Sequence, residues 1–159
     1  MPAPKQVHIL GKESFDPDEF FTITYHFTPR HIDVVQGQTV TWDNQTTDAH
    51  TISVLAPSDV PKTVDQVNNC AICNQIQADH FPNGFPPQGQ PVLFLDNFNA
   101  GNLPARFDSV GDSLLTPPPG LGLPLSVSAS ITAPVGIELH YICAFHPWDA
   151  GDHPRGQRA

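Results

Sequence analysis

Short segments in which apolar and polar residues alternate recur along the chain, and each predicts a β-strand. They are FFTITYHF (20–27), both arms of HIDVVQGQTVTWDN (31–44), HTISVL (50–55), PVLFLDNF (91–98), LSVSASITAP (125–134) and GIELHYICAF (136–145). Gly37 supplies the turn between the two arms of the second segment, after which Val40 and Trp42 point to one face. The pattern predicts an all-β fold, a sandwich or a barrel.

Residues 56–91 interrupt this alternation. The segment is rich in residues that break regular structure, namely Pro57, Pro61, Asn68, Asn69, Pro82, Gly84, Pro86 and Pro87. We therefore expect a loop insertion without long regular structure, containing one short helical turn over residues 64–67. Residues 152–159 are polar and predict a flexible tail, so that residues 1–159 form a single domain.

Composition agrees with a compact, loop-rich domain. The 159 residues include 18 Pro and 11 Gly, and 39% of them are hydrophobic. The net charge of −9 argues against nucleic-acid binding, because phosphates repel an acidic surface. This charge fits either docking on a basic partner or the maintenance of solubility alone. No apolar run approaches the ~20 residues of a transmembrane segment.

The N-terminus bears on the compartment. The sequence MPAPKQ (1–6) lacks the charged and apolar regions of a secretory signal peptide. Either the protein is cytosolic, or Met1 replaces a leader that has been removed. We expect the second, a periplasmic or otherwise exported protein.

A Cys–His pair lies at the end of the last alternating segment. In HYICAFHPWDAG (140–151), Cys143 precedes His146 by three residues, where a strand gives way to a loop. Strand pairing would fix one side chain while the turn aims the other. A thiolate and an imidazole suit copper, zinc or iron, whereas magnesium and calcium prefer oxygen ligands. The pair alone is a weak signal, because many such pairs are structural.

Two motif blocks give the pair a context. The first block leads to His50 in AHTI and is formed by Val34, Gly37, Val40, Trp42 and Asn44. The second is SASITAPVGIELHYICAFHP (128–147). Together they resemble the cupredoxins, the type 1 copper electron carriers of the plastocyanin, amicyanin and azurin kind. The resemblance covers residues 20–55 and 91–151 and implies a Greek-key β-sandwich, although GDHPRGQRA (151–159) shows no β pattern for the family's closing strand.

The resemblance also implies a metal site. His50, Cys143 and His146 would be the three equatorial copper ligands, a set that is completed in such sites by a weak axial partner. Asp149 stands where the amicyanin-like loop carries its axial Met, and the only Met of this chain is Met1. The expected metal site is therefore His50, Cys143, His146 and Asp149.

Two details of this site stay open. Asp149 would either coordinate the copper or face water and bond Arg155, in which case a backbone carbonyl near Ala49 takes the axial side. Thr51 and Asn44 are candidates for fixing the ligand loops by hydrogen bonds. For Asn44, the role of an ordinary turn residue is an equal alternative.

A second pair of cysteines lies in the insertion. Cys70 and Cys73 form CAIC, and His80 follows seven residues later. A disulfide between the two cysteines fits an exported protein. A second metal site and free thiols are the alternatives. No βαβ pattern surrounds the motif, which argues against a thioredoxin-like role.

These observations favour a non-enzymatic protein that binds one copper ion and carries single electrons to a redox partner. The acidic surface favours a basic partner, and zinc could substitute for the copper. Two alternatives share the same ligands. One is a copper chaperone or storage module, and the other is a red, nitrosocyanin-like copper site with an open coordination position.

Overall fold

The computed structural model describes residues 3–16, 20–84, 89–145 and 157–158. Within these ranges the strands are β1 Lys5–Leu10, β2 Glu13–Asp16, β3 Phe20–Ile23, β4 His26–Thr28, β5 Ile32–Asp33, β6 Thr39–Asn44, β7 His50–Leu55, β8 Phe94–Asp96, β9 Asn99–Ala100, β10 Ala105–Phe107, β11 Ser113–Thr116, β12 Ser126–Ile131, β13 Glu138–Ile142 and β14 Gln157–Arg158. A 3₁₀ turn (Pro57–Asp59) and two helices, α1 (Val64–Asn68) and α2 (Ala71–His80), lie between β7 and β8. None of the helices described has the length and apolar character needed to cross a membrane.

The strands form two large sheets. The first sheet has the order β10-β12-β6-β1-β4 and the second the order β5-β14-β13-β7-β11-β8-β9, while β2 and β3 form a separate pair. Strands β1 and β6, β10 and β12, and β5 and β14 run parallel, and the other neighbours are antiparallel. Side chains from both large sheets meet in one hydrophobic core. The predicted all-β sandwich is therefore confirmed.

Trp42 joins the two sheets. Strand β6 alternates between half-buried and buried residues, and both Val40 and Trp42 fall on its buried face, as the sequence predicts. The Trp42 ring packs against Phe107 of the first sheet and Tyr141 of the second, with ring centroids 5.5 Å and 6.2 Å apart. The turn before β6 places Gly37 at a φ of +86°, which favours glycine because a Cβ atom would be strained there.

Strand β7 is buried along its whole length because both of its faces are covered. Ile52 and Val54 belong to the core between the sheets. Leu55 belongs instead to a second cluster, which includes Cys73 and Ile76 of α2. Helix α2 thus forms a third layer over the outer face of the second sheet.

The insertion is more ordered than the sequence predicts. Helix α1 coincides with the expected helical turn, but the 10-residue α2 contradicts the expectation that residues 56–91 lack long regular structure. Every Pro and Gly of the insertion lies outside Ala71–His80. Cys73, Ile76 and His80 recur at helical spacing and are buried, which is the pattern of a helix packed on one face.

Several strands also differ from the prediction. The single strand expected over residues 20–27 is split, since β3 pairs with β2 whereas β4 joins β1 in the first sheet. The alternation does not predict β1, β10 or β11. In the tail, β14 pairs with β13 and β5, so the expectation of a tail without β-structure is wrong for Gln157–Arg158.

Cys70 and Cys73 form a disulfide, with their Cα atoms 5.2 Å apart. This confirms the predicted pairing. The bridge packs in the second cluster, which also contains Ile142 and Ala144 at the end of β13. Because both sulfurs are engaged in the bridge, the alternative of a second metal site built on them is wrong.

Thiol counting tests this pairing. Unfolded protein without reductant should show one reactive thiol, from Cys143, and three after reduction. In the folded protein Cys143 should react slowly, because its exposed fraction is 0%. A Cys143→Ser variant serves as the control and should show none before reduction. Three thiols in unreduced, unfolded wild-type protein would contradict the disulfide.

Candidate metal centre

His50 and Cys143 meet at one end of the second sheet. Strand β7 begins at His50, and β13 ends at Ile142, directly before Cys143. The strands are antiparallel with Ile142 opposite Ser53, so the start of β7 lies beside the end of β13. His50 Nδ1 and Cys143 Sγ are 3.8 Å apart, and both residues are fully buried. The fold therefore brings two of the four predicted ligands together.

The separation of these two atoms fits a shared metal ion. Bonds from a metal such as zinc are about 2.3 Å to a thiolate sulfur and about 2.0 Å to an imidazole nitrogen. Two such bonds at an angle of about 120° would place the sulfur and the nitrogen as far apart as the 3.8 Å observed. A trigonal set of one Cys and two His is the arrangement of blue-copper sites. The donor pair therefore suits a metal such as copper or zinc, both in donor type and in spacing.

The loop before β7 fixes the tautomer of His50. Asn44 Oδ1 accepts hydrogen bonds from the Thr46 backbone N–H at 3.0 Å and from the Thr46 hydroxyl at 2.8 Å. Because its proton is used in this way, the Thr46 hydroxyl oxygen accepts a hydrogen bond from His50 Nε2–H at 2.7 Å. The lone pair of the neutral ring then lies on Nδ1, the atom that faces Cys143 Sγ.

Asn44 braces the same loop. Its Nδ2 donates to Asp48 O at 2.8 Å and to Thr116 Oγ1 at 3.2 Å, and the Thr116 hydroxyl donates to His50 O at 3.2 Å. Asn44 thus fixes the segment that carries His50, as one of the two sequence interpretations expects. Thr46 is not among the residues predicted from the sequence, although its place among short polar side chains before a candidate ligand is a usable signal.

Burial keeps the His50 imidazole neutral. Loss of solvation lowers the pKa of His50 to about 4, and the negative charge of Asp48 acts in the opposite direction. The Tyr25 ring packs edge-on against the imidazole, with ring centroids 4.7 Å apart. A histidine must be neutral to bind a metal, so His50 is in its binding form at neutral pH.

Thr51 holds the cysteine from the neighbouring strand. Its backbone N–H donates to Cys143 Sγ at 3.3 Å, and its hydroxyl oxygen accepts from the Ala144 N–H at 2.7 Å. These bonds fix both the sulfur and the peptide that follows it, in line with the sequence interpretation of Thr51. Hydrogen bonding around a ligating sulfur is one of the factors that set the reduction potential of a copper site.

The other two predicted ligands, His146 and Asp149, lie outside the described residues. Within residues 3–16, 20–84, 89–145 and 157–158, no three His, Cys, Asp or Glu side chains are grouped so as to hold a metal ion. The described part of the site is therefore the donor pair of His50 and Cys143. His80 is buried elsewhere, where its ring bonds Val92 O and the Ser113 hydroxyl.

Comparison with known proteins yields structural similarity only. No protein-family model matches the chain, and no curated protein matches it. Auracyanin A, a "blue" copper protein from Chloroflexus aurantiacus, is 19% identical with a TM-score of 0.46, over 99% of this chain and 98% of that chain. Reduced auracyanin from Roseiflexus castenholzii is 15% identical with a TM-score of 0.45, over 99% and 96%. A purple cupredoxin from Nitrosopumilus maritimus is 16% identical with a TM-score of 0.38, over 97% of each chain.

These neighbours are all cupredoxins. The identities lie below 25% and the TM-scores below 0.5, so these similarities do not identify a metal or its ligands in this chain.

Proposed function

We propose that this chain is a mononuclear copper protein that carries single electrons, with His50, Cys143 and His146 as ligands. The proposal is carried by the buried donor pair, whose Nδ1 and Sγ atoms are 3.8 Å apart. One thiolate and two imidazoles supply a site in which copper can change its charge by one electron with little movement of its ligands.

The surroundings of the donor pair support electron transfer because they hold both ligands in place. Thr46 orients the His50 ring and Thr51 bonds the Cys143 sulfur. Strand β7, which carries the first ligand, is covered on both faces and cannot shift without disturbing two packed clusters. Fixed ligands keep the cost of reorganisation low when an electron arrives or leaves.

Burial of the donors favours an electron carrier over a chaperone. A chaperone hands its metal to an acceptor by exchange of ligands, which requires access to the donor atoms. His50 and Cys143 both have an exposed fraction of 0%. An electron, in contrast, can enter a buried site without direct contact between the metal and the partner.

Asp149 is proposed as the axial ligand. The support comes from its position in the loop, three residues after His146, where the resembled family carries a Met. A carboxylate is a hard, anionic donor and favours the cupric state more than a thioether does. The reduction potential should accordingly be lower than with Met, and the colour should move from blue toward green or red. The alternative is a backbone carbonyl near Ala49 on the axial side.

Compartment and partner follow from other features. The disulfide between Cys70 and Cys73 supports an exported, for example periplasmic, protein. The net charge of −9 supports docking on a basic redox partner. Zinc binds the same kinds of donor and should compete for the site.

Substitution of the thiolate ligand tests the metal assignment. Copper-loaded wild-type protein should show an intense visible band from sulfur-to-copper charge transfer, and Cys143→Ser should abolish it. The matched control is the double variant Cys70→Ser, Cys73→Ser. It removes the two disulfide cysteines, which are not proposed as ligands, and should keep the band. A copper-loaded wild-type protein without the band would refute the proposal, as would a band that survives in Cys143→Ser.

Replacement of Asp149 by Met tests the axial assignment. Asp149→Met should raise the reduction potential by more than the ~59 mV that corresponds to a tenfold change in relative affinity for the two copper states. The protein should also become bluer. Asp152→Met introduces the same side chain three residues further along and should change neither property. If Asp149→Met leaves potential and spectrum as they were, Asp149 is not a ligand.

A further inference from the structure

A line of buried polar side chains runs from α2 across the outer face of the second sheet. His80 Nε2 and Ser113 Oγ are 2.8 Å apart, Ser113 Oγ and Ser53 Oγ 2.7 Å, and Ser53 Oγ and Thr51 Oγ1 2.8 Å. All four residues have an exposed fraction of 0%. The line ends at Ala144 N–H, which donates to Thr51 Oγ1 at 2.7 Å. We call this line the relay.

The two ends of the relay fix the direction of every hydrogen bond in it. Val92 O can only accept, so His80 Nδ1, 2.5 Å away, carries the ring proton and Nε2 accepts from Ser113. Each hydroxyl has one proton, so Ser53 donates to Ser113 and Thr51 donates to Ser53. Thr51 Oγ1 is then an acceptor for the amide at the other end. Burial, which lowers the pKa of His80 to about 4, keeps the ring in this neutral form.

The relay ends next to the metal centre. Thr51 donates its backbone N–H to Cys143 Sγ, and the amide that its hydroxyl accepts belongs to the residue that follows the cysteine. Helix α2 also reaches the same residue directly, because Gln77 Nε2 donates to Ala144 O at 2.8 Å. Helix α2 therefore acts on both polar atoms of the Ala144 backbone. Gln77 bonds its carbonyl oxygen directly, and His80 acts on its N–H through the relay.

Loss of the His80 Nε2 acceptor would change the hydrogen bonding of the Thr51 hydroxyl at the other end of the relay. Without His80 Nε2, the Ser113 proton has no partner in that direction, and leaving it buried and unpaired is costly. The hydroxyls can then reverse, so that Ser113 donates to Ser53 and Ser53 donates to Thr51. The Thr51 oxygen then accepts from both Ser53 and Ala144 while its own proton loses its acceptor, which weakens the hydrogen bond from the Ala144 N–H.

We propose that His80 is a positioning residue for the metal centre, which acts through the relay to hold the Thr51 hydroxyl as the acceptor for Ala144 N–H and so to set the orientation of Cys143. This inference rests on the proposed copper site. The relay itself can be tested without any metal.

Amide hydrogen exchange of the metal-free protein is the direct test. His80→Leu should speed exchange of the Ala144 amide about tenfold relative to Val54, the change expected when a hydrogen bond of typical net strength is lost. Val54 is a suitable reference because it lies in the same strand as Thr51 and its N–H bonds Asp112 O, outside the relay. His80→Gln offers an acceptor in place of Nε2 and should restore most of the protection.

Three further variants separate the relay from a loosening of the helix. Ser53→Ala and Ser113→Ala interrupt the relay in its middle and should act like His80→Leu, so the test holds even if that variant fails to fold. Ile76→Ala weakens the packing of α2 without touching the relay and should change the exchange of Ala144 and Val54 alike.

Copper loading supplies a second readout. The charge-transfer band should shift in His80→Leu and in the two serine variants, but not in His80→Gln. If the ratio of the Ala144 to the Val54 amide exchange rate is the same in every relay variant as in wild-type protein, the positioning role of His80 is refuted. If the relay variants expose Ala144 but wild-type protein shows no charge-transfer band, the relay stands and the copper proposal falls.

Discussion

The antiparallel pairing of β7 with β13 is the constraint on which the candidate centre depends. It brings together His50 and Cys143, which are 93 residues apart in the sequence, and it fixes which face of the sheet each side chain occupies. A shift of the register by one residue would turn Cys143 to the outer face, away from His50. The covering of β7 on both faces holds this register, because slippage would expose one packed cluster or the other.

Burial of so many polar groups around the centre is tolerated because each finds a partner. The Thr46 hydroxyl bonds both His50 Nε2 and Asn44, which braces the loop that carries His50. The Thr51 backbone N–H donates to Cys143 Sγ. An unpaired buried hydroxyl or imidazole would cost more than its bond contributes. The same bonds that make burial possible therefore also fix the donors, so a stable fold and a rigid donor pair have one physical origin.

The sequence predicts most of what depends on local pattern and little of what depends on pairing between distant strands. Alternation identifies β6 and β12, and the bounds predicted for β7 agree with those observed. The family resemblance carried by the two motif blocks implies His50 and Cys143 as ligands. Helix α2 is missed because the prolines that flank it dominate the composition of its segment. The partnership of His80 with Ser113 is missed for a deeper reason, since it exists only because β11 pairs with β7 and places Ser113 opposite Ser53.

X-ray absorption at the copper edge tests the central claim, that Cys143 and two histidines bind one copper ion. Scattering from sulfur identifies the ligand without mutation, because Cys70 and Cys73 are joined to each other and the only Met is Met1. The copper-loaded protein should show one sulfur neighbour at a short distance and two imidazole rings. A spectrum with oxygen and nitrogen neighbours alone would contradict the account.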